Sequence, residues 1–196
     1  MRAPTGSGRL LLDLGGIVIG AAMMAGLVHI VAILIVPLYA SNDAFARLAE
    51  LGPPNRTTLL APASPSARIT PYDDPAVAAA FCRYDLRNGP LRVTAPAARY
   101  EFSSVSFHTK HGGIFYALTD RAATQGQFNA LLVTEEQLRE ITARESEDEP
   151  SQELRIVSPT DEGFVMMRSF SEEPSLYPEA QARVGALKCQ SEAPGT

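Results

Sequence analysis

The chain is short of the signatures that usually name a reaction. No glycine-rich phosphate loop follows a strand-like run, so nucleotide binding lacks its usual cradle. Ser103, Ser104 and Ser106 precede His108 and Asp120, but no strand-turn-helix elbow surrounds those serines, which argues against a hydrolase triad. Basic residues are outnumbered, 17 against 22 acidic, for a net charge of −5. No basic patch is interleaved with aromatics, which excludes the ordinary electrostatics of nucleic-acid binding. Only 2 cysteines and 3 histidines occur, too few for a cysteine-rich metal module. No cofactor motif is present.

What the chain does have is apolar length in one place. Residues 14–40 read LGGIVIGAAMMAGLVHIVAILIVPLYA, with no Asp, Glu, Lys or Arg and with His29 as the one histidine among them. A bilayer core of about 30 Å needs about 20 apolar helical residues. A secretory signal core is shorter, about 7–15 residues, and Tyr39-Ala40-Ser41 is a loose match to a cleavage site. The run therefore reads as an uncleaved transmembrane helix, with residues 1–13 as a cytoplasmic tail. Arg2 and Arg9 precede it and Arg47 follows, a bias of flanking cations that places the N-terminus in the cytoplasm and the bulk of the chain outside. In a bacterial host that means the inner membrane with a periplasmic domain.

Within the run, Gly16 and Gly20 form a G-x-x-x-G pair, and Ala22 with Gly26 continues the small-residue spacing that lets two helix backbones approach in lipid. His29 near mid-membrane is a candidate hydrogen-bond partner for a second helix. These features make the bilayer one partner, and a companion envelope membrane protein or a second copy another.

Residues 41–75 read as a juxtamembrane helix from about Asp43 to Leu51, then a proline-rich stalk carrying Pro53, Pro54, Pro62, Pro65, Pro71 and Pro75. Residues 76–190 have the composition of one globular domain, before a tail of 191–196. Short β-prone runs recur at 76–84, 91–94, 100–107, 114–118, 128–134, 154–157 and 164–170. Turn sequences such as Asn88-Gly89-Pro90 and His111-Gly112-Gly113 separate them. The expected fold is an N-terminal transmembrane helix followed by a mostly-β, sandwich or jelly-roll-like domain with one or two short helices. One helix starts at the capping box Thr134-Glu135-Glu136-Gln137; another spans Pro178 to about Lys188. The acidic stretch from Glu145 to Pro150 reads as a surface loop.

Cys82 and Cys189 stand near the two ends of the domain. An even count outside the cytoplasm points to a disulfide, which would close a loop of about 107 residues and contribute up to about 4.7 kcal/mol. His108-Thr109-Lys110-His111 is the densest cluster of chemical groups and a weak metal candidate, since zinc normally takes three or four protein ligands.

The stretch Asn88-Gly89-Pro90-Leu91-Arg92-Val93-Thr94-Ala95-Pro96, then Arg99-Tyr100 and Asp120-Arg121, resembles the family called domain of unknown function 1254. Leu154 to Phe170, with Pro159-Thr160 and Arg168, is similar to that family's second strand pair. The resemblance covers roughly Pro75 to Leu187 and implies a mostly-β domain without an established activity. Many members are long and fused to a second unit called domain of unknown function 1214. This chain is short, carries an anchor and lacks that unit, which suggests a separate companion chain. The leading expectation is thus a binding or assembly module for an envelope protein. The competing one is an envelope enzyme or small-ligand binder with a pocket lined by Tyr100, Phe115, Tyr116 and Arg168. Their tests differ, because a deep pocket with convergent polar groups marks a ligand site, whereas an open sheet edge or apolar patch marks a protein contact.

Overall fold

A computed structural model describes residues 6–39, 44–64, 74–98, 101–144 and 153–192. The chain divides into two compact units, 1–41 and 42–196.

The first unit is a single helix, α1 (Gly6–Tyr39), of 34 residues. Leu10–Val36 within it is apolar over 27 residues. At a rise of 1.5 Å that segment is about 40 Å long, enough to cross a bilayer core of about 30 Å. The chain therefore has one N-terminal helix long and apolar enough to span a membrane.

The second unit runs α2 (Ala44–Leu51), β1 (Thr57–Leu59), β2 (Val77–Asp85), β3 (Leu91–Pro96), β4 (Ser103–Thr109), β5 (Ile114–Thr119), β6 (Gln127–Val133), α3 (Glu135–Arg144), β7 (Leu154–Val157), β8 (Glu162–Phe170), α4 (Tyr177–Gly185) and β9 (Lys188–Ser191), with single 3₁₀ turns between some of them. Five strands form one sheet in the order β1-β2-β8-β4-β5, and four form another in the order β7-β6-β3-β9. All pairings are antiparallel except β6 with β7. That parallel pair is joined through α3, as a parallel connection requires a crossover. The mostly-β two-sheet domain with short helices is the one expected from the spacing of β-prone runs.

Period-two alternation builds the core. Leu91, Val93 and Ala95 of β3 are buried while Arg92, Thr94 and Pro96 are half-exposed. They meet Phe128, Ala130 and Leu132 of the same sheet and Ala80, Cys82, Tyr84, Val105, Phe107, Val165 and Met167 of the other in one apolar cluster. The first sheet is apolar on its outer face too. There Phe81, Phe164 and Met166 form a second cluster with Leu48 of α2, which is 2% exposed.

Two helices are fixed by identifiable contacts. The α3 capping box is complete: the Gln137 N–H donates to Thr134 Oγ1 (3.2 Å), and the Thr134 N–H donates to Gln137 Oε1 (2.9 Å). The same Gln137 amide donates to the Leu86 carbonyl at 2.7 Å, tying the helix start to the turn after β2. On α4, Arg183 Nη1 donates to Glu101 Oε2 (2.8 Å) and Ser169 Oγ (2.6 Å).

The expected stalk is corrected over its first half. α2 packs on the outer cluster through Ala44, Phe45 and Leu48, and β1 pairs with β2 in the register Thr57 to Cys82 and Leu59 to Ala80. The apolar spacing of α2 gives it a face to bury, and the Thr57-Thr58-Leu59 run takes the free edge of β2. Ala44 to Leu59 therefore belongs to the domain rather than to a spacer. Residues 65–73 of the stalk reading lie outside the described residues, as does the acidic loop 145–150. The final helix is shorter than expected, and the chain after it returns as strand β9, pairing with β3 from Thr94–Lys188 to Leu91–Ser191.

Candidate functional site

The β4–β5 hairpin carries the cluster singled out in the sequence. Its turn closes through Thr109 N–H to the Gly113 carbonyl (2.8 Å) and Gly112 N–H to the Thr109 carbonyl (2.9 Å). Gly112 has φ of +83°, a conformation that suits glycine. This turn aims the Gly112 carbonyl at His108 Nδ1, 3.2 Å away. A carbonyl only accepts, so Nδ1 carries the proton and Nε2 is left as an acceptor. Ser106 Oγ lies 2.9 Å from Nε2 and 3.3 Å from the Met166 carbonyl. The imidazole stacks on Phe164 with ring centroids 4.3 Å apart and planes 13° from parallel. Burial pushes the His108 pKa below its ordinary 6.5, the Gly112 carbonyl pulls the other way, and the Arg168 cation adds to the lowering. His108 is therefore a neutral imidazole with both ring nitrogens occupied.

Such a Ser–His pair can pass a proton in principle. Here Ser106 and His108 are each 6% exposed, and the geometry is that of a satisfied buried histidine. His111 is exposed on the turn and does not converge with it. The weak metal reading of this pair therefore finds no ligand set. Among the described residues no group of three or more His, Cys, Asp or Glu side chains is placed to hold a metal ion.

A second buried hydroxyl lies beneath the same hairpin. Tyr84 OH donates to the His108 carbonyl (2.9 Å) and sits 3.0 Å from Ser158 Oγ. Desolvation by burial pushes its pKa up, with the hydroxyls of Ser158 and Thr160 opposing. Gly163 of β8 lies against both groups, and a Cβ there would collide with the His108 carbonyl and the Tyr84 ring.

The aromatic pocket is only partly assembled. Phe115 and Tyr116 both meet Phe107, with centroids 6.4 and 6.3 Å away. They face the side where Val105 and Phe107 join the main core. Arg168 is opposite Ser104, in step with Met166 and Phe164 on the outer face. So Arg168 stands across the sheet from Phe115 and Tyr116, and Tyr100 lies outside the described residues. A register shift between Phe107 and His108 admits one extra residue in β5, which brings Phe115 to the same side as Tyr116.

Two open concavities lie elsewhere in the domain. One of about 720 Å³ runs between α3, the turn after β2 and the turn before β8, lined among others by Arg87, Gln137, Arg139, Ile141, Ser158 and Asp161. Another of about 450 Å³ is lined among others by Leu118, Gln127, Phe128, Glu153 and Leu154. Sequence reasoning named neither cleft. The one signal for the first was the capping box at Thr134, whose glutamine reaches back to Leu86.

Cys82 and Cys189 are brought together. Both are buried thiols of the one apolar cluster between the sheets, and Cys82 Sγ donates to the Arg83 carbonyl at 3.6 Å. Burial and the facing Cys82 sulfur push the Cys189 thiol well above its ordinary value of 9.0, with the Thr57 hydroxyl opposing. In α1, a Cβ at Gly16, Gly20 or Gly26 would meet no other atom within 4 Å, so the small-residue stripe is open along with His29.

The family model described as "Protein of unknown function (DUF1254)" matches residues 54–191. No curated protein matches the sequence significantly. Among solved structures, the VPA0106 protein from Vibrio parahaemolyticus is similar with a TM-score of 0.54 at 9% identity, over 76% of this chain and 34% of that one. An uncharacterised protein from Burkholderia cenocepacia aligns with a TM-score of 0.46 at 15% identity, over 76% of this chain and 41% of that one. The likeness to VPA0106 is one of fold, and this chain spans about a third of that protein's length.

Proposed function

We propose, for a chain that belongs to the DUF1254 family, that it is a bitopic inner-membrane protein whose β domain lies outside the cytoplasm and binds a companion envelope protein. The observation that carries this reading is the free edge of β5. Among the described residues the other three sheet edges are short: β1 has 3 residues, β7 and β9 have 4 each. β7 carries Arg155 and β9 carries Lys188, the kind of charge that blunts edge pairing. β5 has 6 residues, IFYALT, without a charge, and Ile114 and Tyr116 are 61% and 38% exposed. An uncharged, apolar open edge accepts an extended segment of another chain by strand addition. The buried and satisfied state of Ser106 and His108 supports binding over catalysis.

The orientation rests on Arg2 and Arg9 before the span against Arg47 after it. The same location supports closure of Cys82 and Cys189 as a disulfide. A small-ligand function is the competing reading, and the 720 Å³ cleft favours it by volume, although its lining is rich in charge.

Co-purification tests the proposal. The full chain is drawn from its native membrane in mild detergent, alongside the Ile114→Lys variant. A specific envelope protein should accompany the wild type and be lost from the variant, whose melting temperature should be unchanged because Ile114 is exposed. A wild type that elutes alone, or a companion retained equally by Ile114→Lys, contradicts the assignment.

A further inference from the structure

Cys82 and Cys189 meet in the seam between the two sheets. Cys82 lies on the inner face of β2, is 0% exposed, and is paired in register with Thr57 of β1 and Val165 of β8. Cys189 lies opposite Val93 of β3 and is 7% exposed. The Thr57 hydroxyl donates to the Leu187 carbonyl at 2.6 Å, closing the seam beside the two sulfurs. Thiol–disulfide exchange needs a thiolate and in-line access to sulfur. The docked pair offers neither. Its weakest cover is β9, an edge strand of four residues that among the described strands pairs with β3 alone. Its far end is held by the Glu192 N–H to the Pro90 carbonyl (2.8 Å) and by an ion pair of Glu192 with Arg92. Short edge elements with few partners open locally at low cost.

We propose that Cys82 and Cys189 form a gated redox pair, which exchanges electrons only while β9 is undocked, with Cys189 meeting the oxidant and Cys82 resolving. Cys189 travels with the released strand, whereas Cys82 stays on the sheet. The inference rests on the extracytoplasmic reading, because the oxidant is a protein-borne disulfide of that compartment. Cys189 loses its proton to water and attacks one sulfur of that disulfide, whose other sulfur leaves as a thiolate. Cys82, likewise deprotonated, attacks the Cys189 sulfur of the mixed disulfide. The Cys82–Cys189 bond forms and the oxidant's second sulfur leaves. Two protons and two electrons depart from the pair, and the oxidant ends as a dithiol. Redocking of β9 then encloses the bond.

The test uses the full chain in mild detergent, with dithiothreitol as reductant, oxidised glutathione as oxidant, and maleimide mass shifts to count thiols. The protein as isolated should show no free thiol. Dithiothreitol should open the bond slowly in native buffer and at once in urea. Leu187→Ala, which unseats the buried residue before β9, should speed native reduction about tenfold or more. Glu192→Pro, which removes the bond to Pro90 and the ion pair with Arg92 just past β9 without touching the core, should speed it in the same direction. After complete reduction, Cys82→Ser should take up glutathione at Cys189 faster than Cys189→Ser takes it up at Cys82. Native reduction as fast as in urea, equal rates in the wild type and both variants, or faster adduct formation at Cys82 would overturn the gating. Two free thiols in the protein as isolated would instead refute the disulfide and the location on which the gating depends.

Discussion

His108 gives the domain a pH dependence that can be worked from its surroundings. In the unfolded chain this imidazole titrates near its ordinary 6.5, and in the fold burial and Arg168 hold its pKa lower. Between the folded and unfolded values the unfolded state binds the proton and the folded state does not. Stability is therefore fully present above about 6.5 and drains as pH falls through that window, with a slope of at most about 1.4 kcal/mol per pH unit for one proton. Asp85 also has a lowered pKa, through its hydrogen bond with Arg87, from an ordinary 3.8. Its loss belongs to a more acidic range, so the two effects separate. His108→Gln removes the titration but keeps an acceptor and a donor near Ser106 and Gly112. Because its fit to Phe164 is worse, the variant should be less stable at neutral pH by about 1–3 kcal/mol. That difference should shrink as pH falls, as the wild type alone loses stability. The assay is urea unfolding of the full chain in detergent, followed by tyrosine near-UV circular dichroism, from about pH 7.5 to about pH 5. A flat wild-type profile, or one equally steep in His108→Gln, would refute the reasoning.

Gly163→Ala should cost about 3 kcal/mol or more, since a Cβ there collides with the His108 carbonyl and Tyr84; Gly185→Ala, where a Cβ meets nothing within 4 Å, should be nearly neutral in the same unfolding assay. Cys82→Ser and Cys189→Ser should each lower the melting temperature by several degrees, and the double variant should be no worse than either, because each single change already breaks the one bond. Gly16→Leu with Gly20→Leu should reduce retention of the companion or of a second copy in detergent pull-downs, since bulky side chains keep helix backbones apart; unchanged retention would remove α1 from the interface.

The parts of the fold readable from sequence were those with strong local rules. The alternation Leu91, Val93, Ala95 specifies β3, and the Thr134–Gln137 box starts α3 one residue later, at Glu135. The uninterrupted apolar run sets α1. β1 and β9 escaped because neither carries its own signal. Thr57–Leu59 lies among prolines and becomes a strand only on the edge of β2. Lys188–Ser191 has one buried side chain, Cys189, and takes its conformation from β3. Ser106 and His108, two residues apart on a strand, were bound to share a face; that the turn would return the Gly112 carbonyl to Nδ1 depended on tertiary geometry. The pocket joining Tyr116 to Arg168 did not assemble because sheet parity sets them on opposite faces, and parity across strands depends on register and on the shift at Phe107/His108. The two cysteines could be counted from sequence, but the seam that brings them together is made only when the sheets stack.

The companion, the disulfide and the gating of β9 all depend on where the domain lies, and a topology reporter tests that directly. Alkaline phosphatase fused after Thr196, which is active only when exported, should be active in cells carrying the full chain, and a cytoplasm-dependent reporter at the same position should be silent. Activity of the cytoplasmic reporter alone would contradict the orientation, and with it the companion, the disulfide and the gating of β9.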